Sequence, residues 1–266
     1  MGISSINSSR SQSLYWNQNM MRSYQRLATG KKINSAADNA AGLAIVQKML
    51  TQSNGYDMGT RNAATSQDMI NVAEGSLSTV EDSLQRIREL SIQASNDAIY
   101  GADDRAAIQQ EIEGLKSSIS DAARNTQFNG KNLLDGSMGS SHVASGPDGS
   151  GMDINMPNSV LESLGIADYD VTKDFDISVI DNALEKVSSA RSGLGASYNR
   201  LSYTMNYNSY ASLNVTASRS RIEDLDYGKA VSDKQKQDLL QEYRIMMQKK
   251  QQTENGRFIQ LLKFQS

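Results

Sequence analysis

The sequence predicts a mainly α-helical protein, built as a long antiparallel helical bundle or coiled coil with a small β-hairpin region in the middle. Two long arms repeat apolar residues in steps of three and four, the spacing of helices that pack along one stripe. Both prolines, Pro147 and Pro157, lie in one glycine-rich central stretch between the arms. Only 6% of the 266 residues are aromatic, too few for a thick globular core but enough for helices that each bury a stripe.

The N-terminal arm carries the clearest heptad frame. Its members are Ile70, Ala73, Leu77, Val80, Leu84, Ile87, Ser91 and Ala94. The helix is predicted to start at Ser35, an N-cap with Asp38 three residues later, and to end at Tyr100-Gly101. Gly30 is expected to end the helix before it, so that residues 30–35 connect two helices.

A second helix is predicted to be capped by Asp103 and to run to about Arg124, with one apolar stripe: Ile108, Ile112, Leu115, Ile119 and Ala122. The C-terminal arm predicts one helix over 180–222, because nine residues share a heptad frame: Ile180, Leu184, Val187, Leu194, Tyr198, Leu201, Met205, Val215 and Ile222. Two such seams are expected to pack as an antiparallel bundle. Between them, strands at 142–145 and 152–156 predict a hairpin within a small β region at about 131–175.

The two chain ends differ from the arms in charge and in the burial they can achieve. Residues 1–35 carry five basic residues and no acidic one, and residues 229–266 carry eight basic against four acidic residues. Neither end can bury its apolar side chains alone, so we expect both to order against neighbouring copies. This sets the ends, 1–35 and 229–266, apart from the arms between them. The self-assembly residues are predicted to be Ile3, Ile6, Leu14, Met21, Leu27, Leu240, Tyr243, Met247, Ile259 and Leu262.

Several kinds of chemistry find no support in the residues. Without cysteine the chain can form no disulfide, thiolate metal site or cysteine nucleophile. The single histidine, His142, is expected in a surface loop, and Glu223, Asp224 and Asp226 are expected to form a solvated helix end. We therefore expect no enzyme, no cofactor and no metal site. The basic ends lack aromatic interleaving and the pI is about 5.3, so no nucleic-acid partner is expected. The N-terminus has no apolar core of a signal peptide, and no apolar run is long enough for membrane insertion.

Four segments resemble motifs of the bacterial flagellins. RLATGKKINSAADNAAGLAI (26–45), LQRIRELSIQASN (84–96), NTQFNGKNLL (125–134) and SRSRIEDLDY (218–227) are similar to the family's motifs and stand in the family's order and spacing. The chain thus looks like a short flagellin without outer domains. The resemblance implies a terminal coiled-coil domain of 1–35 plus 229–266, which forms the filament core, and an inner helical domain of 36–228. One segment departs from the family: residues 239–266 are more charged than usual, and Asn255-Gly256 predicts a helix stop.

The resemblance implies a function and a set of partners. It implies a secreted structural subunit of the flagellar filament that self-assembles into a helical tube for motility. The implied partners are further copies of the chain, a flagellar export chaperone with the type III export apparatus, the filament cap and hook-junction proteins, and Toll-like receptor 5. One alternative is a hook–filament junction protein of the same export class, which shares the end motifs but usually lacks the LQRIREL-type segment. Another is a generic signalling coiled coil, which would share the heptads but not the four motifs.

The resemblance also implies a receptor-binding surface for innate immune recognition. Its residues are Gln85, Arg86, Glu89, Leu90 and Gln93, with Glu111 on the following helix. Positions 86, 89, 90 and 93 differ by three or four, so they are predicted to share one helix face. Arg86 is expected to be exposed on this face and to act as a binding hot spot.

Overall fold

Long helices dominate the structure, a computed structural model that describes residues 3–263 and the side chains of residues 16–254, 256 and 257. The elements follow in chain order: α1 (Ile3–Thr29), α2 (Ala36–Ala94), α3 (Ala102–Asn125), β1 (Gln127–Phe128), β2 (Lys131–Asn132), β3 (Ser140–Ala144), β4 (Gly151–Asn155), α4 (Leu161–Leu164), α5 (Ser178–Glu223) and α6 (Tyr227–Lys263). The predicted fold class, long helices around a small β region, is confirmed.

The described chain divides into two compact units. One contains the described residues up to Leu50 together with those from Val215 onward, and the other spans Thr51–Asn214. The predicted domains, 1–35 plus 229–266 and 36–228, were defined by their roles in assembly. Compactness within one chain does not test such roles, so those boundaries stay a prediction.

Within the unit Thr51–Asn214, α2 and α5 run antiparallel. Arg88 Nε donates to Asp181 Oδ1 at 2.6 Å, and Ser212 Oγ donates to Asp57 Oδ1 at 2.8 Å. Residue numbers therefore fall along α2 as they rise along α5. The α3 helix is also antiparallel to α2. Arg86 of α2 contacts Glu111 near the start of α3, and Ser76, earlier in α2, meets Thr126 at the end of α3, with 2.6 Å between the two hydroxyl oxygens.

The predicted heptad seam of α2 forms the core of this unit. All eight of its members are buried: Ile70, Ala73, Leu77, Val80, Leu84, Ile87, Ser91 and Ala94. On α5 the same burial recurs every seven residues at Ile180, Val187, Leu194 and Leu201. The next step along this frame is Asn208, which is also buried although it is polar. Apolar periodicity alone could not predict its burial.

The helix ends agree with the prediction at one position and differ at others. Gly30 follows α1 with a φ of +69°, as expected for the residue after a helix end. Asn39, with φ −166° and ψ 96°, interrupts the start of α2, and its Oδ1 accepts the Gly42 N–H at 2.9 Å. Asn39 therefore caps the long part of α2. The predicted cap at Ser35 begins only a short preceding turn, in which the Asp38 Oδ2 accepts the Ser35 N–H at 3.1 Å.

The predicted end of α2 at Tyr100-Gly101 is wrong, because the helix ends at Ala94 and turns follow it. Gly101 instead stands before α3, with an extended φ of −77°. Its N–H donates to the Asp104 carboxylate at 3.0 Å, which satisfies a donor at the helix start. The carboxylate that caps the start of α3 therefore belongs to Asp104, and the predicted cap at Asp103 is wrong.

The central β region consists of two antiparallel hairpins. In the larger one, β3 and β4 place His142 opposite Asp153, which confirms the predicted hairpin with strands that start one or two residues earlier. Asp153 Oδ1 lies 2.8 Å from His142 Nδ1, and this hydrogen bond raises the pKa of His142. The smaller hairpin, β1–β2, was not predicted. Asn129 and Gly130 form its turn with φ values of 50° and 74°, which suits the Asn-Gly sequence.

The larger hairpin is fastened to α2 and α5. Asn208 Nδ2 donates to the Ser145 carbonyl at 2.7 Å, and Asn62 Nδ2 donates to the Ala144 carbonyl at 2.8 Å. Gly59 on α2 makes room for this approach, because a Cβ at that position would lie 2.1 Å from the Ser145 carbonyl oxygen. The buried Asn208 is therefore explained by a backbone acceptor that only the folded hairpin supplies.

In the other unit, α1 and α6 run antiparallel. The Lys234 ammonium lies 4.8 Å from the Tyr24 ring centre, and the Arg244 guanidinium lies 4.7 Å from that of Trp16. The predicted helix stop at 255–256 is wrong, since α6 continues to Lys263. A glycine inside a helix costs only about 1 kcal/mol and does not by itself end one. Within the described residues, no helix has the length and hydropathy to cross a membrane.

Candidate interaction surfaces

The surface predicted to bind a receptor lies on α2 and α3. Five of its six residues are exposed: Gln85, Arg86, Glu89, Gln93 and Glu111. The prediction that Leu90 shares this exposed face is wrong, because its side chain is only 2% exposed. Leu90 is three residues from Ile87 and four from Ala94, so it belongs to the same buried cluster as these two residues.

Arg86 is the centre of an ion cluster on this surface. Its Nε and Nη2 both donate to Glu111 Oε1, at 2.9 and 2.8 Å, and its Nη1 donates to Glu89 Oε2 at 3.1 Å. Hydrogen bonding to Glu111 has the largest effect and hydrogen bonding to Glu89 the next largest, and both raise the pKa of the Arg86 guanidinium. The cluster therefore brings residues predicted from two helices into direct contact.

The exposure of this cluster determines what it can do. About half of the Arg86 and Glu111 side chains faces solvent, so their attraction is screened and contributes little to folding. In the structure the two carboxylates orient the guanidinium on the exposed face.

A second arrangement joins the first and the last of the four sequence motifs. The Lys32 N–H donates to the Glu223 carbonyl at 2.8 Å, and the Leu225 N–H donates to the Gly30 carbonyl at 2.9 Å. These backbone hydrogen bonds fasten the segment after α1 to the end of α5. Two segments almost 200 residues apart in the chain are thus paired like short strands.

Side chains reinforce this junction. Glu223 is buried and forms an ion pair with Lys31 and a longer one, 3.8 Å, with Arg219. The expected solvated position of Glu223 is therefore wrong, because the Lys31 segment covers it. The opposite charges of the two motifs were the available signal for this pairing. Among the residues that the structure describes, no three His, Asp or Glu side chains are grouped to hold a metal ion.

The predicted self-assembly residues lie on α1 and α6. Four of them are exposed in the described part of the chain: Met21, Leu240, Tyr243 and Met247. Leu27 is half-buried. The side chains of the other five lie outside the described residues: Ile3, Ile6, Leu14, Ile259 and Leu262. A groove of about 660 Å³ runs beside Trp16, Tyr243 and Met247. The paired ends thus carry apolar surface that α1 and α6 do not cover.

Comparison with known proteins places the chain in a family. Residues 4–138 match the bacterial flagellin N-terminal helical region, and residues 177–262 match the bacterial flagellin C-terminal helical region. The flagellin of Bacillus subtilis strain 168 is 33% identical over 293 residues, covering 93% of this chain and 94% of that protein. The flagellar filament 33 kDa core protein of Treponema phagedenis is 34% identical over 245 residues, covering 84% and 85%.

Solved structures support the fold. The crystal structure of Bacillus cereus flagellin matches with a TM-score of 0.50 and 24% identity, covering 56% of this chain and 88% of that one. A putative flagellar hook-associated protein from Vibrio parahaemolyticus matches with a TM-score of 0.58 and 16% identity, covering 70% and 100%. Structural matches at such low sequence identity show a shared fold and no more. The family assignment rests on the matched helical regions and on the sequence relatives. The chain therefore belongs to the bacterial flagellins, a family of structural filament proteins and not of enzymes, and has no outer domain between its two helical regions.

Proposed function

We propose that this flagellin assembles through its paired chain ends into a helical tube that drives motility. The observation that carries this proposal is the exposed apolar surface on both end helices, which includes Met21, Tyr243 and Met247. Such surface is unfavourable in water and favours contact with further copies. Contacts between unlike faces that do not close into a ring produce open helical filaments. The terminal domain, 1–35 plus 229–266, would then line the tube, with 36–228 outside it.

Polymerisation of the purified protein tests this proposal against its alternative. We expect long tubular filaments in electron micrographs after the monomer is concentrated and salted out, because salts such as sulfate strengthen apolar association. Material that stays monomeric, or that binds only to the ends of preformed filaments, would instead support the hook–filament junction protein. The LQRIREL segment at 84–90 favours the flagellin.

The exposed face of α6 supports a route of export. The proposed route is secretion through the flagellar type III apparatus, with a dedicated chaperone holding residues 236–264. Leu239, Tyr243 and Met246 are exposed at steps of four and three, so they share a face that a helix-binding groove could hold. The excess of basic residues in 229–266 favours an acidic surface on the chaperone. Outside the cell, the filament cap and hook-junction proteins would meet the same chain ends.

The Arg86 cluster supports a second proposed activity, recognition of the monomer by Toll-like receptor 5. The proposed surface is Gln85, Arg86, Glu89 and Gln93 with Glu111, and it does not include the buried Leu90. We propose that the same surface contacts the next subunit in the filament, so that polymerisation hides it from the receptor. The monomer is therefore expected to bind, and the filament is not.

Replacing Arg86 by alanine is expected to weaken binding of the monomer to the receptor ectodomain by more than about 1 kcal/mol, the range of a hot-spot residue. The change removes three hydrogen bonds to Glu111 and Glu89 and leaves the two carboxylates close together. The dissociation constant can be measured by calorimetry or surface plasmon resonance.

Arg88 provides the matched control for this experiment. It lies two residues further along α2, is exposed to a similar degree and pairs with Asp181 at 2.6 Å. The Arg88→Ala variant loses the same charge from a different face, so its binding is expected to stay near that of the unchanged protein. An equal loss in both variants would show a general charge effect and would remove Arg86 from the proposed surface.

A further inference from the structure

One face of α5 exposes three tyrosines in a row. Tyr203, Tyr207 and Tyr210 are 76%, 63% and 70% exposed, and steps of four and three residues place them on the same side of the helix. We call these three residues the tyrosine stripe. Sequence periodicity did not reveal it, because the heptad frame describes only the opposite, buried side of α5.

The charge pattern around the tyrosine stripe is unusual for an exposed helix. Residues 201–218 contain no Asp, Glu, Lys, Arg or His, and these 18 residues are the longest such run in the chain. A solvated helix face normally carries charged side chains. The centres of protein–protein interfaces are depleted of charge and enriched in tyrosine. The composition of this face is therefore typical of a surface that is covered by another protein.

The fold of the unit does not need the stripe for its own core. Leu201 and Asn208 point to the buried side of α5, where Asn208 donates to the Ser145 carbonyl at 2.7 Å. Tyr207 contacts Tyr56 of α2 edge to face, with 6.2 Å between ring centres and 80° between planes. This contact orients one ring of the stripe and leaves most of its surface in solvent, as in an anchor residue prepared for binding.

The area of the stripe limits the kind of complex it can support. A fully exposed tyrosine side chain offers about 200 Å², so the three together expose on the order of 400 Å². This area lies within the range of the largest apolar patch on a typical monomeric protein, roughly 300–600 Å², and such patches are often functional. It is only about half of the ~800 Å² that each partner contributes to a stable interface. The stripe alone cannot hold a dimer, but it suits one contact among several in a polymer.

We propose that the tyrosine stripe is a contact with a second copy of this chain in the filament. A second copy fits better than a strongly acidic or basic partner, because the stripe offers no charge with which to attract one. The small area fits a contact that forms only when the chain ends also assemble. The inference therefore rests on the proposed polymerisation, and adds to the chain ends a contact made by the unit Thr51–Asn214.

Chemical modification tests the contact directly in the unchanged protein. Tetranitromethane nitrates exposed tyrosine rings, and mass spectrometry of peptides identifies each site. Tyr203 and Tyr210 are expected to react readily in the monomer and roughly tenfold more slowly in sedimented filaments, because a well-packed contact excludes solvent from its centre. The buried Tyr56 is the internal control and should react slowly in both samples.

Paired substitutions test the energetic role. Tyr203→Ser/Tyr210→Ser is expected to raise the critical concentration for polymerisation at least about tenfold, measured by sedimentation, since a tenfold change needs the loss of only one modest contact. Tyr203→Phe/Tyr210→Phe keeps the rings and should polymerise nearly as well as the unchanged chain. Ile99→Ser, at a side chain that is also largely exposed, is the control for losing apolar surface elsewhere. Circular dichroism and thermal unfolding verify that each monomer is folded.

The outcomes separate the stripe from the proposed function. If the unchanged chain forms no filaments, the proposed polymerisation fails and the stripe proposal fails with it. If filaments form but the tyrosines stay reactive and the serine variant polymerises normally, polymerisation stands and the stripe proposal is overturned. Protection already present in a dilute sample, with a dimer mass by light scattering, would assign the stripe to a dimer and also overturn the proposal.

Discussion

A chain that lacks residues 236–266 is expected to form no filaments and to lose binding to the export chaperone. The truncation removes most of α6, including the Arg244 side chain that lies over Trp16 and the exposed Tyr243 and Met247. It leaves the unit Thr51–Asn214 complete, so the helical circular dichroism signal of that unit and its thermal unfolding transition should persist. Sedimentation with electron microscopy measures the first loss, and calorimetry with the chaperone measures the second.

A full-length variant separates apolar contact from length. Leu240→Ser/Tyr243→Ser/Met247→Ser keeps every charge and changes three predicted self-assembly residues that share one exposed face of α6. If apolar burial drives assembly, this variant should polymerise as poorly as the truncated chain. Normal filaments from the truncated chain would contradict the role assigned to residues 236–266. Normal chaperone binding by it would contradict the proposed export complex.

Gly59→Ala is expected to destabilise the protein by about 2 kcal/mol or more, although alanine is the better helix former. The new Cβ would lie 2.1 Å from the Ser145 carbonyl oxygen, which is backbone and cannot rotate away. The hairpin must shift, and the buried Asn208 amide then loses its acceptor at considerable cost. The free energy of unfolding can be measured by urea titration followed by circular dichroism.

Gly75→Ala is the matched control on the same helix. A Cβ at Gly75 meets nothing within 4 Å, so only the helix propensity changes. This variant is expected to stabilise the protein by about 0.5–1 kcal/mol. Two identical substitutions on α2 should therefore change stability in opposite directions. A stabilising Gly59→Ala would show that the hairpin does not rest against α2 in solution.

The position of the hairpin also bears on the tyrosine stripe. Asn208, which donates a hydrogen bond to the hairpin, follows Tyr207 directly and lies on the buried side of the same helix turn. A hairpin displaced by Gly59→Ala is therefore expected to weaken polymerisation as well as stability. The core transmits such shifts because close-packed interiors yield little.

Heptad spacing in the sequence was sufficient to predict that α2 and α5 are long helices and which of their faces turn inward. Every seam residue of α2 from Ile70 to Ala94 is buried, and the helix predicted over 180–222 is observed as Ser178–Glu223. This works because the faces of a helix follow from its 3.6-residue turn, a local property. The four flagellin-like motifs likewise needed only local sequence, and they identified the family.

The burial of Leu90, Glu223 and Asn208 was decided only by the tertiary structure. Leu90 differs from the exposed Arg86 by one helix turn, and spacing cannot state how far around α2 the packed surface extends. Glu223 is buried because Lys31, far away in sequence, supplies an ion pair, and Asn208 because a hairpin carbonyl accepts its amide. Burying a polar group costs free energy unless a partner satisfies it. The apolar pattern therefore determined which faces turn inward, and long-range partners determined which polar side chains join them.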